Sequence, residues 1–146
     1  MLEEKTKAPD FSLLDQSNVS HTLSQYKGEW VLLYFYPKDD TPGCTKEACA
    51  FRDNFPNFRK LNVKILGVSA DTVSSHEHFI EKYGLNFILL SDPEKKVIEM
   101  YGAKGVLSTK RISYLIDPQG LIYKSYLKVD PSTHAEEVLK DLESAK

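Results

Sequence analysis

Cysteine is scarce in this 146-residue chain, which has only Cys44 and Cys49. Two thiols cannot build the multi-bridge framework of a small secreted domain. Charge of one sign is not in surplus either: 19 Lys and Arg face 21 Asp and Glu, a formal charge of -2. Binding to nucleic acid or to an anionic membrane draws on clustered cations that displace counterions, and no excess of cations exists here. No apolar run approaches the roughly 20 residues that span a bilayer. The opening residues MLEEK carry neither the basic nor the apolar segment of a secretory leader. A glycine-rich phosphate loop is missing. The four histidines, His21, His76, His78 and His134, stand at no zinc-binding spacing with the two cysteines. His76 and His78 are two apart and so do not share a helix face. A Cys–His protease is formally open, but no histidine has a motif around it. A soluble protein of a reducing, cytoplasmic compartment is the simplest expectation.

Core-forming material is present in ordinary amounts. Hydrophobic residues make up 41% of the chain, and 8 Tyr, 7 Phe and 1 Trp supply bulk. At this length a core of that kind needs no disulfide or metal staple. No repeat, linker or low-complexity run divides the chain, so residues 1–146 read as one domain.

The order of elements follows from periodicity. Phe11–Leu14 and Val19–Leu23 flank the turn Gln16-Ser17-Asn18 and read as a hairpin. Trp30–Tyr36 is a continuous run of β-formers ended by Pro37, as in a strand buried on both faces. After the loop Lys38–Gly43, the residues Ala48, Phe51, Phe55 and Phe58 recur at helical steps, which predicts a helix from Cys44 to about Leu61 with a kink at Pro56. Val63–Ser69 is a second buried strand, so this stretch is a βαβ unit with a parallel pair. Asp71-Thr72 caps a helix to Tyr83, which Gly84 stops. Phe87–Leu90 is a third strand. Asp92-Pro93-Glu94 reads as the opening of a helix to Tyr101, followed by Gly102. Arg111–Ile116 and Leu121–Leu127 are strands joined by the turn Asp117–Gly120. Pro131–Ser144 is a terminal amphipathic helix. The sum is an α/β chain with the element order of a thioredoxin-like fold: a central mixed β-sheet flanked by helices, with an added N-terminal β-hairpin.

Cys44 falls where a buried strand gives way to a helix. Unpaired N–H groups and the macrodipole at a helix N-terminus favour an anion, hence a thiolate over a thiol. The plain alternative is a cysteine of the core. Cys49 lies five positions on. Within an intact helix that separation is a rise of about 7.5 Å on a different face, whereas a disulfide needs Cα atoms within about 7 Å. If the two sulfurs bond, the segment from about Thr41 to Arg52 must open. Cys49 also reads as a core residue beside Ala48 and Phe51. Arg111 could stabilise a thiolate or polarise an oxygen leaving group, or be a surface residue at a strand end. Glu47, one turn past Cys44, could orient that arginine or face solvent.

These stretches resemble the peroxiredoxins, and within them the peroxiredoxin Q / bacterioferritin comigratory protein group. The likeness runs through Ala8-Pro9-Asp10-Phe11, Tyr34-Phe35-Tyr36-Pro37, Thr41-Pro42-Gly43-Cys44-Thr45-Lys46-Glu47-Ala48-Cys49, Phe51-Arg52-Asp53, Gly67-Val68-Ser69, Leu90-Ser91-Asp92, Tyr101-Gly102, Arg111 and Leu115-Ile116-Asp117. Pro-x-x-x-Thr-x-x-Cys is highly specific, and Cys-x-x-x-x-Cys within that helix narrows it to this group. Thr6-Lys7 and Ser113-Tyr114 depart from the common pattern without touching the chemistry. The resemblance implies a thiol-dependent peroxidase for hydrogen peroxide and organic hydroperoxides. Cys44 would be the peroxidatic cysteine, passing through a sulfenic acid. Thr41 and Arg111 would position the peroxide, Pro37 would shield the thiolate, and Glu47 would hold Arg111. Cys49 would be the resolving cysteine of an intramolecular disulfide, reduced by a thioredoxin or glutaredoxin-type dithiol. No metal or cofactor is implied, because sulfur carries both electrons. The group suggests a monomer. Two other readings stay open on the residues alone. A thioredoxin-type disulfide oxidoreductase would want Cys-x-x-Cys, and a redox-regulated binding or holdase module would use the bond to expose a surface.

Overall fold

A computed structural model describes residues 2–145; Met1 and Lys146 lie outside the described residues. The hairpin strands are β1 (Ser12–Asp15) and β2 (Ser20–Thr22). β3 (Trp30–Phe35) leads to helices α1 (Pro42–Asp53) and α2 (Phe55–Lys60), then to β4 (Val63–Ser69). There follow α3 (Val73–Tyr83), β5 (Ile88–Ser91), α4 (Lys96–Met100), β6 (Ile112–Ile116), β7 (Ile122–Tyr126) and α5 (His134–Ala145). The seven strands form one sheet in the order β2-β1-β5-β4-β3-β6-β7. β3, β4 and β5 are parallel neighbours; the remaining pairs are antiparallel, including the hairpin docked on β5. The expected mixed sheet with an added hairpin is present. No helix among the described residues is long and apolar enough to cross a membrane.

Side chains alternate across a strand, so β3 feeds two cores. Val31, Leu33 and Phe35 enter one with Leu66, Val68 and Tyr101. Leu32 and Tyr34 enter the other, which is roofed by Cys44, Ala48 and Phe51 of α1 and closed by Val138 and Leu142 of α5. Gly67 lies opposite Tyr34 in the parallel register. A Cβ at Gly67 would come within 2.8 Å of the Tyr34 ring and of Leu89. Glycine is what lets that ring lie flat on the sheet beneath α1.

Several boundaries differ from the sequence expectation. The helix from Cys44 is two helices, broken at Asn54, and Pro56 sits in the first turn of α2. A proline there forfeits no hydrogen bond, so the chain restarts rather than kinks. α1 begins at Pro42, which places Cys44 inside its first turn. Asp92-Pro93-Glu94 is not helical. Lys95 takes a left-handed conformation (φ 61), and Asp92 instead reaches over this turn to accept from the Ile98 N–H at 2.8 Å. The terminal helix starts at His134.

Candidate active site

The site is assembled where β3 ends. Thr41 is the N-cap of α1, in extended geometry, and Pro42 presets the first helical φ. The Thr45 N–H returns to the Thr41 carbonyl at 2.8 Å. The N–H groups of Gly43 and Cys44 therefore have no intrahelical acceptor and leave the helix at its positive end. Cys44 is 1% exposed, as deeply placed as any structural cysteine. What sets it apart is its partner: Arg111 Nη2 donates to its Sγ at 3.3 Å.

Arg111 precedes β6, and the β3–β6 register pairs Phe35 with Ile112. That register carries the arginine across to the first turn of α1, 67 residues away in sequence. Its other arm, Nη1, donates to Glu47 Oε1 at 2.8 Å. Glu47 follows Cys44 by three positions, so both lie on one helix face, and one guanidinium spans the two. Glu47 is 1% exposed, not solvent-facing, and its Oε2 has no partner among the described residues. Burial pushes its carboxyl up to about 7, against the pull of the Arg111 charge and hydrogen bond. The Tyr34 hydroxyl is likewise buried without a partner. Burial first, then the charges of Glu47 and Cys44, hold its pKa well above the ordinary tyrosine value.

The Thr41 hydroxyl donates to the Lys38 carbonyl at 2.8 Å, which leaves its lone pairs able to accept from an incoming O–H. Pro37 is half-buried where the chain leaves β3, and Cys49 is half-buried in the second turn of α1. Both cysteines are free. The structure thus brings Cys44, Glu47 and Arg111 into contact and sets Thr41 at the same helix end, while Cys49 stands off on the intact helix.

The family model described as AhpC/TSA family matches residues 5–125. The chain belongs to the AhpC/TSA family. Peroxiredoxin Bcp of Bacillus subtilis is 41% identical over 149 residues, covering 97% of this chain and 95% of that one. Chloroplastic peroxiredoxin Q of Oryza sativa subsp. japonica is 43% identical over 141 residues, covering 94% of this chain and 65% of the plant protein. A solved structure of the Xanthomonas campestris bacterioferritin comigratory protein, described for alkyl peroxide reduction, superposes with TM-score 0.92 at 34% identity, over 98% of this chain and 99% of that one. This peroxiredoxin has the thioredoxin-like α/β fold and is a thiol-dependent peroxidase. It acts on a peroxide and takes electrons from a thiol reductant.

Sequence reasoning missed Gly43, Tyr34 and the histidines. A Cβ on Gly43 would lie 2.9 Å from Arg111 Nη2, so the arginine head lies across bare backbone. His134 is wholly buried between the Ser113 hydroxyl (2.8 Å) and Glu137 (3.0 Å), edge-on to Phe51. His21 pairs with Asp15 at 2.7 Å. One signal was available for Glu47: it precedes Phe51 by four positions and so falls on the apolar stripe.

The raised carboxyl of Glu47 makes stability depend on pH in a defined direction. Its ordinary value is 4.5 and its folded value about 7. Between these the folded state holds a proton that the unfolded state has lost, so stability is full below 4.5 and declines as pH rises through 7. At 1.36 kcal/mol per unit the loss is roughly 3 kcal/mol. Urea unfolding of Glu47→Gln from pH 4.5 to 8 is expected to show a decline smaller than wild type by that order. Parallel curves would refute it. Separately, Gly43→Ala should fold normally, displace the Arg111 head, and lower the second-order rate constant with hydrogen peroxide about tenfold, a barrier change of about 1.4 kcal/mol. An unaltered rate constant would remove Arg111 from the peroxide step.

Proposed function

We propose that Cys44 is the peroxidatic cysteine and Cys49 the resolving one, in a cycle that runs through an intramolecular disulfide. The observation that carries the first assignment is the Arg111 guanidinium donating to Cys44 Sγ at the N-terminal end of α1. The thiolate, not the thiol, is the nucleophile. It attacks the terminal oxygen of a hydroperoxide; the S–O bond forms, the O–O bond breaks, and the departing oxygen takes a proton to leave as water or an alcohol. Cys44 is left as a sulfenic acid.

Each neighbour has a task in that step. The Thr41 lone pairs accept from the peroxide O–H and aim it. Arg111 and the free N–H groups of Gly43 and Cys44 face the oxygen on which charge develops, a donor arrangement worth about 3 kcal/mol per member. Glu47 keeps the guanidinium from rotating away. Pro37 keeps bulk water from the sulfur. The substrates are hydrogen peroxide and organic hydroperoxides, the latter in line with the alkyl peroxide activity described for the Xanthomonas protein.

Resolution requires movement. Cys49 sulfur attacks the sulfenic sulfur, expelling water, and the geometry forbids this while α1 is whole. The first turns of α1 must unwind before the bond closes. A thioredoxin or glutaredoxin-type dithiol then reduces it by exchange. A cysteine pair that a dithiol must reduce at every turnover suits a reducing compartment such as the cytoplasm, and the cycle needs one chain only, as in a monomer.

Intact-mass analysis after one equivalent of peroxide tests the reading. Wild type is expected to lose two hydrogens and yield a Cys44–Cys49 linked peptide. Cys44→Ser should consume no peroxide. Cys49→Ser should complete its first turnover and then stop cycling with thioredoxin. Undiminished cycling by that variant would eliminate Cys49 from its role.

A further inference from the structure

The loop between β3 and α1 is also tied to β4 and α3 by residues that have no part in the chemistry above. Asp39 is 7% exposed. Its Oδ1 accepts from the Tyr36 hydroxyl at 2.6 Å and its Oδ2 from Ser75 Oγ at 2.8 Å, and Oδ2 also lies in hydrogen-bond contact with His76 Nδ1 at 2.7 Å. Its backbone N–H donates to Asp71 Oδ2 at 2.8 Å, which also accepts from Ser69 Oγ at 2.6 Å. His76 is wholly buried, with Nε2 3.0 Å from the Leu90 carbonyl oxygen. The carboxylate oxygens of Asp39 and Asp71 and Nδ1 of His76 lie within 4.8 Å of one another, a spacing that would also suit a metal ion. Here those atoms are committed to one another and to Ser69, Ser75 and Tyr36.

Asp40, in a left-handed conformation (φ 58), adds a second tie: it accepts from Lys82 Nζ and from the Tyr83 hydroxyl, each at 2.7 Å. Downstream, Arg52 Nη1 donates to the Tyr83 carbonyl at 2.6 Å. Ser75, His76, Lys82 and Tyr83 all belong to α3. The segment that must open for Cys49 to reach Cys44 is therefore held at both ends by posts on one helix that lies outside it.

We propose that Asp39, locked to α3 by Ser75 and His76, is a positioning residue for the peroxidase: it holds the closed conformation in which Thr41 and Cys44 face Arg111, and it opposes the unwinding that precedes the disulfide. This rests on the Cys44–Cys49 cycle proposed above. The two steps of that cycle want opposite things from the loop, so loosening the post moves them in opposite directions. The peroxide step slows because Thr41 and Cys44 are held less firmly against Arg111 within the closed state. Resolution quickens because less structure has to break, and the sulfenic acid is trapped sooner, before a second peroxide converts it to sulfinic acid.

Ser75→Ala removes one of the bonds to Asp39 and leaves the others in place; Asp39→Asn weakens the whole set. Stopped-flow oxidation gives the second-order rate constant, and intact mass gives the sulfinic fraction at Cys44 per turnover under a reducing system. In Ser75→Ala the sulfinic fraction is expected to fall about fivefold, the effect of one net hydrogen bond on the opening equilibrium, and the rate constant to fall with the looser alignment. Asp39→Asn should go further in the same direction. A lower unfolding midpoint with both kinetic readouts unchanged would reduce Asp39 to a structural part and overturn the proposal. So would a slower peroxide step with an equal or larger sulfinic fraction. Should Asp39→Asn fail to fold, Ser75→Ala decides. The loss of two hydrogens in wild type tests the underlying cycle independently, so its failure is distinguishable from failure of the anchor.

Discussion

The guanidinium of Arg111 sits between a sulfur at 3.3 Å and a carboxylate at 2.8 Å, both almost completely withdrawn from water. None of the three groups could be buried alone without penalty. Removing one partner of a buried charge pair typically costs about 3–5 kcal/mol, because it strands the other. The trio therefore holds itself together, and it fixes the distance from β6 to the first turn of α1. Its planar fork explains why arginine and not lysine fits: two donors on separate arms serve two acceptors at once.

The same helix has to be firm and breakable. Its two halves are secured by different forces. Phe51 packs in an aromatic cluster with Tyr34 (4.8 Å), Phe58 (5.8 Å), His134 (5.9 Å) and Phe87 (6.2 Å). Such a buried phenylalanine is worth several kcal/mol. The first turn packs only Cys44 into that core and is otherwise held by polar ties: the arginine bridge, the Thr41 hydroxyl on Lys38, and the posts at Asp39 and Asp40. The first turn can therefore open by exchanging polar partners for water, without exposing the aromatic cluster. Local opening draws on the least stable end of a structure.

Much of this architecture could be read from periodicity. The buried strands β3 and β4, the capped helix α3 and the amphipathic α5 announced themselves because burial on both faces leaves an unbroken apolar run and burial on one face of a helix leaves a repeat of 3.6. The boundaries that went astray were set by single backbone choices. Asn54 ends one helix so that Pro56 can begin another, and Lys95 turns left-handed so that Asp92 caps from a distance. Propensity carries little information about either. The chemical motif around Cys44 was legible because its residues are contiguous, and the resemblance to peroxiredoxins supplied roles for Thr41, Arg111, Glu47 and Pro37. The polar lock of Asp39 on Ser75 and His76 was invisible: its parts are more than thirty residues apart, and a lone buried histidine looks like any other.

The order of residues alone placed a sulfur at the mouth of a helix, since helical periodicity sets in at Cys44 after a buried strand and the short loop Lys38–Gly43. It also determined that a second sulfur five positions on would be out of reach, because helical rise is a constant of the backbone. Which charges meet that sulfur was decided by the sheet. Only the antiparallel pairing of β3 with β6 brings a guanidinium from position 111 to a thiol at position 44, and only the packing of α1 against the sheet takes Glu47 out of water and raises its carboxyl. Interactions between residues so far apart in the chain exist through packing, and packing is a property of the folded whole.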